Sequence, residues 1–412
     1  MAEKHFPIKT ATACQLKWAW STLFLNTGVT RSCHRTSESE LTAENFANFH
    51  NTDTKLVDRL LMLQGMWPTT NCQYCKNIED VGGTSDRMRM MTIPDLSPTE
   101  LETNTTAINI QPTIVEVYFN NTCNLGCLYC VDHLSSTIAS ENKKHGEFNL
   151  DGVHIKNSDK HFKELVPLFW KWFETGFQKI KRLHVLGGEP FLQTEVEKLL
   201  DMIEQYPNSR CELNIVTNLM IPKARLETFV KRFKELISKK MLRRVDITCS
   251  IDCWGAPQEH VRWGIKLDQW QENFEYLLEH KWLTVNINQT ISPLTIKSMP
   301  ELLEKLAAWR QEHAIGHFFS EVTPDPSYLK PNIFGGKIFE DDFKRILELM
   351  PDETDQDKIT KDYMQGIISR ILASEPNIQE INKLKTYLIE KDRRRNTDYL
   401  SVFPWIETTT LS

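Results

Sequence analysis

Residues 113–130 read TIVEVYFNNTCNLGCLYC, an apolar run followed directly by three cysteines. The β-branched and aromatic residues of Thr113–Phe119 predict a strand. Cys123, Cys127 and Cys130 follow it with the spacing C-x3-C-x2-C, and Gly126 between them suits a tight loop. Because loops at the carboxyl ends of strands carry the active sites of β/α folds, this position predicts a functional loop.

Three thiolates this close together can hold three irons of a [4Fe–4S] cubane and leave the fourth iron without a protein ligand. An external amino acid can chelate that open iron, whereas a fourth cysteine would restrict the cluster to electron transfer or structure. The alternative is zinc, which usually takes two C-x2-C pairs or a cysteine/histidine set that closes a tetrahedron. The segment has one C-x2-C pair and one close histidine, His133, so the spacing favours the cluster.

Short β-type runs alternate with amphipathic helical patterns after this segment. Such alternation predicts parallel β/α units with right-handed connections, in a sheet that is either doubly wound or curled toward a barrel. The expected strands are Thr113–Phe119, Lys181–Leu186, Cys211–Thr217, Arg243–Ile251, Leu283–Ile291 and His317–Val322. The expected helices lie near 159–176, 193–206, 223–239, 267–280 and 298–313.

The cysteine motif, with Tyr129 before its last cysteine, resembles the signature of the radical S-adenosylmethionine (SAM) superfamily. The resemblance implies a partial (β/α)6 barrel and a SAM molecule bound to the open iron, with the Tyr129 ring beside the cluster. The residues after the second expected strand, Gly187-Gly188-Glu189, resemble the family's GGE motif, which binds the methionyl amino group of SAM. Adjacent glycines let a backbone approach a ligand closely, and a carboxylate can pair with an ammonium.

The resemblance also implies SAM contacts at the ends of the later strands. The expected positions are Asn218, Ser250, Asp252, Asn288 and Val322. For Ser250 and Asn288 the alternative is a polar group that is satisfied within the barrel core. Cys253, just past a strand end, is a candidate donor of a hydrogen atom to a substrate radical, as in some radical SAM epimerases; the alternative is a packed thiol. Cys211 and Cys249 are expected to be small buried hydrophobic residues.

A second cysteine set lies near the N-terminus. Cys14 and Cys33 follow the pattern C-x13-G-x4-C, and Cys72 and Cys75 form a C-x2-C pair. The set resembles the twitch (half-SPASM) module, which implies an auxiliary [4Fe–4S] cluster with four cysteine ligands. The module commonly follows the barrel, but here it precedes it. Four ligands leave no open iron, so the expected role is electron transfer or bracing; a zinc site is the alternative.

Four consecutive regions are expected. They are a small irregular twitch-like domain at 1–95, a polar linker at 96–112, the partial barrel at 113–337 and a helical C-terminal extension at 338–412. Residues 131–158 form a polar insertion after the first strand. The insertion is too long for a simple βα turn and is expected to cover a site.

Composition excludes several classes of partner. The net charge of −6 gives no electrostatic reason to expect nucleic acid or an anionic membrane surface. No window reaches the roughly 18 uninterrupted apolar residues of a membrane span, and no signal-peptide pattern opens the sequence. A cytoplasmic protein is therefore expected. In a reducing compartment, ten cysteines favour metal or redox sites over disulfides.

The resemblance implies that an electron cleaves SAM to a 5′-deoxyadenosyl radical, which abstracts hydrogen from a substrate carbon. A peptide substrate is expected by family analogy, with an electron donor such as flavodoxin or ferredoxin. One alternative is dehydrogenation of a small metabolite. An alternative of another class is a non-catalytic iron–sulfur or zinc protein that acts as a redox relay or scaffold; Gly187–Glu189 speak against it, because a relay has no use for a SAM-amine site.

Overall fold

The computed structural model describes residues 6–91, 93, 96–151, 159–322 and 325–408. The strands in these ranges are β1 (Trp20–Phe24), β2 (Val29–Arg31), β3 (Ser39–Glu40), β4 (Ile114–Tyr118), β5 (Gly126–Cys127), β6 (Arg182–Leu186), β7 (Asn208–Thr217), β8 (Leu242–Ser250), β9 (Arg262–Trp263), β10 (Thr284–Ile291) and β11 (Ile315–Glu321).

The α-helices in the same ranges are α1 (Gln15–Ala19), α2 (Asp53–Leu63), α3 (Thr69–Asp80), α4 (Asp86–Met91), α5 (Glu100–Thr103), α6 (Ser136–His145), α7 (Asp159–Gly176), α8 (Thr194–Gln205), α9 (Lys223–Ser238), α10 (Ala256–Val261), α11 (Leu267–Leu278), α12 (Met299–Arg310), α13 (Glu340–Leu349), α14 (Asp355–Leu372), α15 (Ile378–Arg395), α16 (Tyr399–Val402) and α17 (Trp405–Thr408). None of the helices in the described ranges combines the length and hydropathy of a membrane span.

The chain forms two compact units. The first comprises the described residues of 1–121, 156–215 and 227–245, and the second comprises those of 122–155, 216–226 and 246–412. The units interleave segments of the chain, whereas the four regions expected from the sequence are consecutive. The division into those four functional regions stays a prediction.

The sheet of the first unit is built around β4. This strand pairs in parallel with β1 on one side and β6 on the other, and β7 pairs in parallel with β6. Beyond β1, the short strands β2 and β3 are antiparallel. Four of the five residues of β4 are buried, as expected for a central strand that is covered on both faces.

The N-terminal segment differs from its prediction. The sequence predicts an irregular region at 1–95, and this is wrong for β1–β3. All five residues of Trp20–Phe24 are buried, and the strand pairs with β4 from Trp20↔Ile114 to Phe24↔Tyr118. A strand buried on both faces lacks the apolar/polar alternation that would mark it, so periodicity does not reveal a run of five residues.

The predicted polar linker also contributes to a core. Helix α5 lies within 96–112, and Leu96, Leu101 and Ile110 are buried. All three belong to one hydrophobic cluster with Cys14 and Trp18. These spaced apolar side chains anchor a segment whose overall composition is polar.

In the second unit β10 lies between β8 and β11, and both pairs are parallel. The last five residues of β8 belong to this unit. A separate antiparallel pair joins β5 to β9, with Gly126 opposite Trp263 and Cys127 opposite Arg262. Helices α13–α15 occupy 340–395, where the sequence pattern is helical.

Each expected strand and helix after residue 112 is found within three residues of its predicted bounds. Helix α8 shows why these elements could be predicted. Its buried apolar residues recur at helical spacing and so lie on one face: Val196, Leu199, Leu200 and Ile203. The chain is therefore a mixed α/β protein with a large, mainly parallel sheet. Closure of the strands into a partial barrel stays a prediction.

Replacing Gly187 by alanine is expected to destabilise the protein more than replacing Gly65. Both glycines have positive φ, +87° and +73°, so both variants incur left-handed strain of about 1–2 kcal/mol. A Cβ at Gly187 would lie 2.6 Å from the ring of Tyr118, whereas a Cβ at Gly65 would have no atom of the described residues within 4 Å. Overpacking should cost Gly187→Ala about 1–3 kcal/mol more in urea denaturation. Equal losses would contradict the packing of Gly187 on Tyr118.

Candidate functional site

Hydrogen bonds within the protein shape the cysteine loop, residues 123–130. The hydroxyl groups of Ser136 and Thr137 donate to the Cys123 carbonyl at 3.0 and 2.8 Å. The Leu128 amide donates to Val261 at 2.8 Å, and the Cys130 amide donates to Cys127 at 3.0 Å. None of the ten cysteines, all of which lie in the described ranges, forms a disulfide.

The three thiols of the loop influence one another. Burial raises the pKa of the Cys130 thiol, and Cys127 and Cys123 raise it further. Burial also raises the pKa of Cys127, while Arg262 and Arg395 act in the opposite direction. Because a metal or cluster binds thiolates rather than thiols, these two cations favour the form that binds.

A buried carboxylate braces the loop. Asp252 is fully buried and accepts hydrogen bonds from the Tyr129 hydroxyl at 2.6 Å and from two guanidinium nitrogens of Arg262 at 2.8 Å each. The Thr290 amide donates to it at 2.8 Å. Two predicted SAM contacts, Tyr129 and Asp252, therefore bind each other. Arg262 was not predicted, because nothing in its sequence surroundings distinguishes it from a surface arginine.

Asn218 is a predicted SAM contact that lies beside the loop. Its Nδ2 donates to Asn124 Oδ1 at 3.0 Å and lies 3.8 Å from Cys123 Sγ. Asn124 in turn donates to the Met220 carbonyl at 2.6 Å. The structure thus brings the residue after β7 to the first cysteine of the motif.

The later strands place three further predicted residues near their carboxyl ends. Ser250 on β8 lies opposite Asn288 on β10 in the parallel register. Ser250 is buried, Asn288 is half-buried, and Val322 follows β11 and donates its amide to Ile291 at 3.1 Å. For Ser250 and Asn288 both alternatives, a SAM contact and a satisfied polar group in the core, stay open, and Val322 stays a predicted adenine contact.

Cys253 has the environment of a packed thiol. It is fully buried, and both its amide and its thiol point at Gln258 Oε1, at 3.0 and 3.6 Å. Burial raises its pKa well above the usual value. A hydrogen-atom donor must be reached by the substrate, so this burial favours the structural alternative. Cys211 and Cys249 are also fully buried, as expected.

Gly187, Gly188 and Glu189 follow β6 in the first unit. Both glycines have positive φ, and the Gly187 carbonyl accepts a hydrogen bond from Gln193 at 2.6 Å. Glu189 is fully buried, and its Oε1 accepts from the Phe191 amide at 3.1 Å. The carboxylate therefore caps the short turn Pro190–Leu192.

The segments that carry the N-terminal cysteines meet through a buried polar network. Lys17, three residues after Cys14, pairs with Asp58 of α2. Asp58 also accepts two hydrogen bonds from Asn71, the neighbour of Cys72, at 3.0 and 2.9 Å. This network joins α1, α2 and α3, so Cys14 and the Cys72–Cys75 pair share one region despite their distance in the chain.

The four N-terminal thiols act on one another electrostatically. Burial raises the pKa of Cys14 to about 12, and Cys33 and Cys72 add to the shift. Burial likewise raises the pKa of Cys72 to about 12; Lys17 lowers it, and Cys33 and Cys75 raise it. Cys33 is thus the thiol that acts on each of the other three. That the four thiols form one site stays a prediction.

Neither cysteine set is arranged as a ready site for one metal ion within the described ranges. Within the described ranges, no three His, Cys, Asp or Glu side chains are arranged as one metal ion would require. Thiolate ligands of one zinc approach each other within about 4 Å, whereas those of a cubane lie roughly 6–7 Å apart. Soft sulfur donors suit an iron–sulfur cluster as well as zinc, so the donor type is compatible with the predicted cluster.

A small cavity of about 110 Å³ lies beside Cys130 in the second unit. Its walls include Asp132, His133, Tyr387 and Lys391. The described part of the predicted insertion, Val131–Asp151, supplies much of the lining. The insertion therefore covers space next to the cysteine loop.

Comparison with known proteins gives one curated relative. No protein-family model matches the chain. A protein of Methanococcus maripaludis named "Probable GTP 3′,8-cyclase" is 24% identical over 183 residues, which is 44% of this chain and 51% of that protein. The chain spans about half the length of the cyclase, so the cyclase reaction is not transferred to it.

The chain also resembles solved structures, at low sequence identity and low TM-score. One titled "Native anSMEcpe with bound AdoMet" has a TM-score of 0.35 at 14% identity, covering 61% of each chain. Streptococcus suis SuiB bound to precursor peptide SuiA has a TM-score of 0.39 at 14% identity, covering 85% of this chain and 69% of that one. TM-scores below 0.5 carry no conclusion about substrate or reaction.

Replacing Asp252 by asparagine is expected to destabilise the protein by about 3–5 kcal/mol, because it leaves the Arg262 guanidinium buried without a counter-charge. Asp341→Asn is the matched control, since Asp341 is fully exposed and pairs with Lys344 on the surface. That change should fall within about 0.5 kcal/mol of the unmodified protein. Denaturant titration of both variants gives the comparison, and similar small losses would show that Asp252 does not brace the loop.

Proposed function

We propose that this protein is a radical SAM enzyme that abstracts hydrogen from a substrate carbon. The observation that carries the proposal is the cysteine loop: three thiols outside any disulfide, spaced C-x3-C-x2-C, two of which act on Cys130, in a loop that hydrogen bonds brace. When bound, a [4Fe–4S] cluster and SAM supply the electron and the 5′-deoxyadenosyl radical. Cys123, Cys127 and Cys130 would hold that cluster.

The protein's own residues would bind SAM and orient it. By the resemblance, Glu189 would pair with the amino group of SAM, while Gly187 and Gly188 let the backbone approach it. Asn218, Ser250, Asn288 and Val322 remain proposed contacts of the ribose, the carboxylate and the adenine. We assign Asp252 and Tyr129 to bracing the loop, since their polar atoms are already used within the protein.

Cys14, Cys33, Cys72 and Cys75 would hold an auxiliary [4Fe–4S] cluster. Their mutual electrostatic effects and the network of Lys17, Asp58 and Asn71 support this assignment. Four protein ligands would saturate the cluster, so its proposed role is to transfer an electron to or from the substrate radical.

The proposed substrate is a peptide, and the proposed electron donor is a flavodoxin or ferredoxin. Both proposals rest on analogy with radical SAM enzymes that carry a twitch module. Dehydrogenation of a small metabolite is the alternative reaction within the same chemistry.

The protein reconstituted without oxygen is expected to bind about eight irons and eight sulfides, as two cubanes. Replacing Cys123, Cys127 and Cys130 together by alanine should leave about four of each. Cys211→Ala, which removes a buried thiol outside both sets, should leave all eight. Iron and sulfide analysis measures the three proteins. Stoichiometric zinc in place of iron would contradict the assignment.

Glu189→Gln is expected to weaken SAM binding tenfold or more while both clusters persist. Glutamine keeps an acceptor for the Phe191 amide but removes the charge that would pair with the ammonium, a contact worth about 1.5–3 kcal/mol. Exposed Glu174→Gln serves as the control and should bind SAM normally. Equilibrium binding is the measurement, and unchanged affinity in Glu189→Gln would place the amine site elsewhere.

A further inference from the structure

The last turn of α15 buries three cations in the second unit. The side chains of Lys391, Arg394 and Arg395 are only 5%, 2% and 2% exposed. All three face Glu141 of α6, which pairs with Lys391 and accepts from Arg395 Nε at 2.7 Å. Arg394 Nη1 lies 3.9 Å from the same carboxylate.

The carboxylates nearby do not balance these cations. Glu390 accepts from Arg394, but it also accepts from the exposed Arg393 at the same distance of 2.7 Å. Asp392 is engaged by Thr397 and the Tyr399 amide and lies 3.7 Å from His260. Burial and then Arg395 lower the pKa of Lys391 to about 8, as expected where positive charge is in excess.

Arg395 is the member of the set that lies against the cysteine loop. Its guanidinium stacks over Trp263 with 5.0 Å to the ring centroid. Gly126 is the residue before Cys127. A Cβ built on Gly126 would lie 3.1 Å from Arg395 Nη2, so the guanidinium lies against the loop backbone there. Nη1 and Nη2 are both buried and have no hydrogen-bond partner within the described residues. Buried donors are rarely left unpaired without a functional or structural reason.

The same helix holds the loop at a second point. The Tyr387 hydroxyl donates to the Leu128 carbonyl at 2.6 Å. Helix α15 therefore contacts the cysteine loop on both sides of Cys127, which fixes where the Arg395 charge lies relative to that thiol.

We propose that Arg395 is a positioning residue that supplies the counter-charge for the cluster of Cys123, Cys127 and Cys130; this inference rests on the proposed function. A [4Fe–4S]²⁺ cubane with three thiolates carries a net charge of −1, and one electron from the donor makes it −2. A buried guanidinium stabilises the added charge strongly, because the local dielectric is low. Arg395 thus makes the cluster easier to reduce.

The test is a redox titration of the full, reconstituted protein with dithionite as reductant, followed by electron paramagnetic resonance. The signal that changes on addition of SAM identifies the cluster with the open iron. In Arg395→Gln the equilibrium constant for its one-electron reduction is expected to fall about tenfold, a shift of about 59 mV to more negative potential. Arg395→Lys, which keeps the charge, should shift less than half as far.

Arg370→Gln is the control, since this arginine is half exposed and pairs with Glu321 on the surface. Its potential should match that of the unmodified protein. Loss of cluster iron in Arg395→Gln but not in Arg395→Lys would also support the proposal, because lysine keeps the positive charge that glutamine lacks.

Two results would overturn the inference. One is an unchanged potential in Arg395→Gln with its iron retained. The other is equal loss of iron and stability in both Arg395 variants, which would make the guanidinium a packing element only. If the unmodified protein takes up no cluster that responds to SAM, the proposed function itself is wrong. The inference about Arg395 then fails with it.

Discussion

The cysteine loop depends on one buried ion pair, that of Asp252 and Arg262. Asp252 follows β8, Arg262 lies on β9 opposite Cys127, and the carboxylate also holds Tyr129 of the loop and the Thr290 amide of β10. A buried pair is tolerated only when its remaining donors and acceptors are satisfied, and here both carboxylate oxygens are used. The pair therefore fixes three chain segments around the thiols before any cofactor is present.

Near this pair, the protein also places buried positive charge beside the cysteine loop. Arg262 is balanced by Asp252, whereas the cations of α15 exceed their carboxylates and direct the excess toward Gly126 and Cys127. In the first unit the buried Lys17–Asp58 pair joins the segments of Cys14 and Cys72. Each proposed cluster site would thus combine soft sulfur donors with a buried cation, which suits an anionic iron–sulfur cluster.

Local patterns in the sequence predicted most elements after residue 112, because amphipathic helices and β-rich strands carry their periodicity with them. They also predicted the cysteine loop, whereas the approach of Asn218 to Cys123 and Asn124 is seen only in the structure. They missed β1, since a strand buried on both faces has no alternation. They did not reveal the hydrogen bonds of Asp252, because its partners Tyr129 and Thr290 lie 123 and 38 residues away in the sequence. The burial of Arg262 and Arg395 could not be predicted, because nothing in the sequence around an arginine shows whether its side chain is buried or exposed.

The central claim is that the three loop cysteines hold a cluster that cleaves SAM. Its most direct test is to quantify 5′-deoxyadenosine and methionine formed from SAM by the anaerobically reconstituted, dithionite-reduced protein. The account predicts that both products accumulate in equal amounts, slowly without substrate, and that replacing Cys123, Cys127 and Cys130 by alanine abolishes them. A reduced protein with full iron that leaves SAM intact, or a triple variant that still cleaves it, would contradict the account.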